Sequence, residues 1–173
     1  DFHGAAMNRT WVKLGATAAK GTATVKLAEA VTGWRVGDFV IVTATHGERD
    51  TGGTRRKSKR DEDVFTEERR IKSIDGAEFT LDRPLDFAHR GEGELRGEVA
   101  NLSRNVIVES AAPDGVRGHT MYHRGSAGSI SYAEFRHLGK EGVLGRYSLH
   151  FHLVGDTMRG SSVVGASIWD SHN

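Results

Sequence analysis

From Asn105 onward, short β-prone runs follow one another with nothing between them but glycine-rich turns. The runs are Val106–Glu109, His119–His123, Ser129–Phe135, Leu149–Leu153 and Ser162–Ile168. Their separators are Pro113-Asp114-Gly115, Gly125–Gly128, Gly139–Gly145 and Gly155-Asp156. Connections this short and polar have no room for crossover helices, and strands joined this way stack as a solenoid. An antiparallel sandwich is the competing arrangement, because the spacing of the runs is irregular.

The first hundred residues use the same vocabulary in another rhythm. Thr22–Leu27 alternates with period two, and Asp38–Thr43 follows a turn at Val36-Gly37. Arg70–Ile74 and Glu78–Leu81 flank Asp75-Gly76, a hairpin signal because both turn positions tolerate positive φ. Glycine is abundant (22) and proline scarce (2), and no window of helical length carries an apolar stripe. The chain is therefore read as all-β: a β-sandwich or β-roll over 1–104, then right-handed parallel β-helix rungs over 105–173. Trp11 and Trp34 are expected to anchor the first core.

Composition narrows the function. The 24 basic and 23 acidic residues leave a net charge of +1, so no whole-chain field draws in nucleic acid. No apolar run approaches the ~18 residues of a membrane span, and membrane contact within this segment is not expected. Without cysteine there is neither a disulfide framework nor a thiolate metal site. The start at Asp1, without Met, is read as that of an excised or processed piece of a longer protein. Between Gly47 and Arg70 the basic block Arg55, Arg56, Lys57, Lys59 and Arg60 is balanced by Asp61, Glu62 and Asp63. The stretch from Arg49 to Asp63 offers almost no apolar area and is expected to be a mobile, dispensable loop.

Several stretches then resemble a known family. DFHG at the start, Thr10-Trp11, Trp34 with Val36-Gly37-Asp38, and LDRPL from Leu81 to Leu85 resemble the glycine-rich G-eight (G8) domain. EVANLSRNVIVES from Glu98, Gly118-His119, and LGRYSLHFHLVGD from Leu144 to Asp156 resemble the cell-migration-inducing hyaluronidase family. That family takes in the transmembrane hyaluronidase-like and fibrocystin-like proteins and bacterial relatives. The family's proline after the Arg-Tyr pair is Ser148 here. The resemblance implies a secreted or cell-surface protein whose partner is an extracellular polysaccharide such as hyaluronan.

Nine histidines are present, five of them between 119 and 152. If Ser148–Leu153 is a strand, Leu149, Phe151 and Leu153 share its inner face, while His150 and His152 share the outer one about 7 Å apart. His-x-His on a strand is a two-ligand clamp for a divalent transition metal: Zn, Cu, Ni or Fe. His119 or His123, from a run stacked about 4.8 Å away, is the candidate third ligand. Asp156, Arg146 and Tyr147 are the candidate catalytic residues. Asp156 would supply a carboxylate for glycosidic chemistry, and Arg146 and Tyr147 would hold a uronate or act on the glycosidic oxygen. Glu134 and Asp170 are the flanking carboxylates. The expected function is polysaccharide recognition, possible depolymerisation by a hydrolase or lyase, and a histidine-bound metal. The alternatives are a non-catalytic binding or adhesion module with surface histidines, or a metal that only staples rungs.

Overall fold

The computed structural model describes residues 1–45 and 65–172, so the expected loop from Arg49 to Asp63 lies outside the described residues. The chain is all-β, and among the described residues the only helical segment is a single 3-10 turn at Gly155–Met158. No helix among them is long and apolar enough to cross a membrane. Two compact units result: Asn8–Asn101, and Asp1–Met7 together with Leu102–Asn173.

Phe2–His3 (β1) is therefore part of the second unit, which corrects the boundary read from the sequence. It pairs in parallel with Ile130–Ser131, so its backbone hydrogen bonds are satisfied there.

Among the described residues, the unit Asn8–Asn101 holds six antiparallel strands: Trp11–Lys13 (β2), Thr24–Lys26 (β3), Phe39–Val42 (β4), Glu67–Asp75 (β5), Glu78–Leu81 (β6) and Glu98–Asn101 (β7). Their order is β2-β7-β4-β5-β6-β3. The two outer strands then meet, because Gly15 N donates to Lys26 O and Ala28 N to Lys13 O, each at 2.8 Å. Leu14 and Leu27 form the bridge, and the sheet is a curled roll with no free outer edge there. A Cβ on Gly15 would lie 2.5 Å from Leu27 O, so only glycine permits the closure. The hairpin β5–β6 turns through Gly76 at φ 57°.

Val12, Leu14, Val25, Leu27, Val40, Val42, Phe79, Leu81 and Val99 fill the roll as the inward members of alternating strands. Trp34 is buried, meets Phe79 edge-on and donates from Nε1 to Arg9 O. Trp11 is half exposed and is not the second anchor, because on β2 its neighbour Val12 faces the core. Less expected is what β5 turns inward. Glu67, Arg69 and Ile71 are its buried positions, so a glutamate and an arginine enter the core as a pair.

Among the described residues, the second unit contains only parallel pairings. One sheet is β1, Ile130–Ser131 (β9) and Val163–Val164 (β11); the other is Ser167–Trp169 (β12), Ala133–Arg136 (β10) and Val106–Glu109 (β8). The same 33-residue offset links Ile130 to Val163 and Glu134 to Ser167, which makes these two turns successive rungs. Each rung bends at a residue in left-handed conformation, Tyr132 (φ 49°) and Gly165 (φ 60°). Phe135, Ile130, Ala133 and Leu138 form the core between the sheets, with Phe2, Val106, Val108, Tyr122, Leu149 and Ala166 packed against it.

The facing expected for Leu149–Leu153 does not hold. Leu149 is half-buried, but Phe151 is 39% and Leu153 79% exposed, and His150 and His152 are both partly covered. The alternation presumed an unbroken strand. Here Phe151 makes only an isolated parallel bridge to Tyr122, and Leu153 breaks the extension at φ 47°. Phe151 stacks on the Tyr122 ring at 5.0 Å instead of entering the core. Ser148, at the family's proline position, is the buried residue, and its hydroxyl meets that of Ser171.

Candidate functional site

Two backbone segments bring the candidate residues together. Tyr122 N donates to His150 O (2.8 Å) and His152 N to Tyr122 O (2.9 Å), which sets His123 beside the His150–His152 stretch. The segment from Gly139 to Gly145 coils tightly through three glycines with φ of 85°, 70° and 83°. Lys140 N donates to Arg146 O across its neck at 2.8 Å. The fold-back places Arg146 and Tyr147 against the histidines.

The result is an open groove of about 670 Å³. Its polar lining is His123, Arg146, Tyr147, His150 and His152; Met121, Val143, Leu144 and Gly145 supply the rest. The rings are in mutual contact: Tyr147 to His150 at 4.8 Å, His150 to His152 at 5.0 Å and His123 to His152 at 5.7 Å between centroids. Because a carbonyl can only accept, His150 Nδ1 donates to Gly145 O at 3.0 Å. The neutral ring then carries its lone pair on Nε2. Arg146 Nη1 donates to His119 Nε2 at 2.6 Å, so that nitrogen of His119 is an acceptor already in use.

This geometry bears on the metal expected from the sequence. His119 is committed to Arg146, which removes it as the third ligand in this arrangement. His123, His150 and His152 are neighbours, but no group of three His, Cys, Asp or Glu among the described residues is placed to hold a metal ion. A zinc-type shell would need donors from three such rings about 2 Å from one point.

Asp156 is not with Arg146 and Tyr147. The chain leaves the groove through left-handed Leu153 and Gly155, and Asp156 ends exposed on the 3-10 turn, paired with Arg159 at 2.9 Å. The flanking carboxylates serve structure. Buried Glu134 accepts from Arg104 N, Arg136 Nη1 and Trp169 Nε1. Asp170 meets His137 Nδ1 at 2.6 Å and Arg117. Partial burial raises its pKa, but these two partners outweigh that and hold its carboxyl below the usual range. No aspartate or glutamate is among the described residues lining the groove. Sequence reasoning missed Met121, Val143, Leu144 and Gly145; the glycines at 139, 142 and 145 were the available sign of a coiled loop.

Residues 115–173 match the CEMIP beta-helix family. Human fibrocystin-L is 30% identical over 225 residues, an alignment covering 100% of this chain and 5% of that protein. A G8 domain-containing protein of Dictyostelium discoideum is 30% identical over 175 residues, covering 99% of this chain and 14% of its own length. These matches support a G8/CEMIP-like family assignment. Every groove residue lies inside the segment matched to the CEMIP beta-helix family. The chain spans only a small part of each of these relatives. Among solved structures, the tailspike gp61 of Pseudomonas phage phi297 aligns over 95% of the chain and 32% of its own, with TM-score 0.42 and 13% identity. The gp54 tailspike of Acinetobacter baumannii bacteriophage AP22, solved with a capsular saccharide, covers 84% and 23% with TM-score 0.42 and 10% identity.

Proposed function

We propose that this chain recognises an extracellular polysaccharide in the groove between Gly145 and His152, with a hyaluronan-like glycosaminoglycan as the fitting substrate class. The observation that carries this reading is the composition of the groove. One guanidinium, three imidazoles and a phenol line it alongside Met121, Val143 and Leu144, and among the described residues no lining carboxylate opposes an acidic sugar. Flat aromatic and apolar surface suits the faces of sugar rings, and Arg146 suits a carboxylate, to which a guanidinium donates two hydrogen bonds in one plane. The open form of the groove suits a polymer passing through better than a small molecule enclosed on all sides. The match of the same residues to the CEMIP beta-helix family supports the reading, as does the resemblance to a hyaluronidase family. A protein with such a partner works outside the cell or on its surface.

The test is retention of the chain on immobilised polysaccharides, with hyaluronan and chondroitin as acidic polymers and dextran as the neutral control. Retention on the acidic polymers, reduced by Arg146→Ala and unchanged by Asp156→Ala, is the expected pattern. Equal retention on dextran, or none on any polymer, would remove the reading.

A further inference from the structure

Resting on that reading, we infer that the groove is built to cleave 4-linked glucuronate by β-elimination, with His150 as base and Tyr147 as acid. Hydrolysis needs a pair of carboxylates about the glycosidic bond, or one acid with another nucleophile. Asp156 lies outside the groove and is paired with Arg159, and the flanking Glu134 and Asp170 are absent from the lining and engaged by Arg104, Arg136 and Trp169 and by His137 and Arg117. What the groove does hold is a set for removing a proton next to a carboxylate.

Each part of that set is placed by the fold. Nδ1 of His150 is pinned to Gly145 O, so the neutral ring is fixed in the tautomer whose Nε2 can accept a proton. The Tyr147 ring lies 4.8 Å from the His150 ring, close enough for both to reach one sugar residue. Arg146 precedes Tyr147 in the same lining, and its hydrogen bond to His119 occupies one of five guanidinium N–H groups. The remaining ones can hold the uronate carboxylate and stabilise the charge that spreads onto it as C5 loses its proton.

The step balances without any co-reactant. His150 Nε2 takes the proton from C5, and the C–H electron pair becomes the C4–C5 double bond. The C4–O bond breaks, and its oxygen takes the phenolic proton of Tyr147. The products are a new chain end bearing a hydroxyl and an unsaturated uronate. Proton return from imidazolium to phenolate resets the site, directly or through water.

Stereochemistry then selects the sugar. Base and acid are in ring contact, so they approach from one side of the sugar. In glucuronate the C5 hydrogen and the C4 oxygen lie on the same face of the ring, whereas in galacturonate they lie on opposite faces. The arrangement suits syn elimination from glucuronate and not the anti elimination that galacturonate requires.

The experiment uses the chain with hyaluronan and, separately, polygalacturonate, following reducing ends, the ultraviolet absorbance of the conjugated unsaturated uronate, and polymer binding. With hyaluronan, reducing ends and the chromophore are expected to rise together; polygalacturonate should remain intact. Tyr147→Phe and His150→Gln should each slow the reaction about 100-fold or more, the usual size of a lost acid or base, while hyaluronan binding stays within a few-fold. Reducing ends without the chromophore would mean hydrolysis and overturn the inference. Equal cleavage of polygalacturonate would overturn the stereochemical assignment, and full activity in both variants would overturn the residue assignment. Bound but uncut hyaluronan would overturn the activity while leaving recognition in place. Failure to bind any acidic polymer would overturn recognition as well.

Discussion

Replacing Glu67 by glutamine keeps the shape of the side chain and removes its charge from the middle of the roll. Four donors converge on this carboxylate. Asp86 N (2.7 Å) and Arg69 Nη2 reach Oε2, and Phe87 N (2.9 Å) and His89 Nε2 (2.8 Å) reach Oε1. The side chains of Glu67, Arg69 and His89 are 3%, 2% and 0% exposed. A glutamine has one acceptor oxygen, so its amide end would confront two donors with a third. Removing one member of a buried charge pair costs about 3–5 kcal/mol. Against a total stability of roughly 5–15 kcal/mol for a domain, that loss is easily measured. Urea unfolding at neutral pH, followed by circular dichroism, should therefore show a stability drop of about that size in Glu67→Gln. The pH dependence adds a second reading. Burial raises the Glu67 carboxyl, but the hydrogen bonds from Asp86, His89 and Phe87 and the Arg69 charge outweigh it and hold it below the usual range. With the folded pKa depressed, the contribution is present above the unfolded value near ~4.3 and is lost as pH falls through the folded one. Wild type should lose stability on acidification more steeply than the variant. A loss under about 1 kcal/mol with identical acid profiles would refute the reasoning.

Two further outcomes follow from the rungs and the groove. Phe135→Ala should cost about 3–5 kcal/mol as a truncation of a fully buried aromatic, whereas Phe151→Ala should cost only ~0.5–1.5 kcal/mol, the value of its stack on Tyr122; equal losses in thermal or urea unfolding would contradict the facing described here. Chelator-free protein dialysed against zinc should hold less than one equivalent by elemental analysis, because no group of three ligating side chains among the described residues is placed to hold a metal ion; a full equivalent that disappears in the His150→Ala, His152→Ala double variant would instead show that the rings rotate into a metal site.

The strands were legible wherever side-chain alternation met a real ladder. Asp38–Thr43, Glu78–Leu81 and Val106–Glu109 all contain strands of the structure, because β-branched and aromatic residues there alternate against paired neighbours. Leu149–Leu153 has as clean an alternation, yet it is not a ladder strand. A single left-handed residue, Leu153, ends its extension, and nothing in a leucine announces that conformation. The inward face of β5 was not legible either. Its charged run reads as solvated, but Glu67 and Arg69 satisfy each other inside, with partners at His89 and Asp86 that are distant in sequence. The groove was half legible: Arg146, Tyr147, His123, His150 and His152, all singled out in the sequence, line it together, while Asp156 does not. Its departure is set by the two left-handed residues before it, a property of backbone rather than of spacing.

The most direct test of polysaccharide recognition is the affinity of hyaluronan for the wild-type chain and for Arg146→Gln, measured by titration calorimetry at fixed salt. Loss of a hydrogen-bonded charge contact of about 1.5–3 kcal/mol corresponds to at least about tenfold weaker binding. Weakening of that size, with Asp156→Asn binding as wild type does, is the expected result. An unchanged affinity in Arg146→Gln, or a wild-type chain that binds no hyaluronan, would contradict the account.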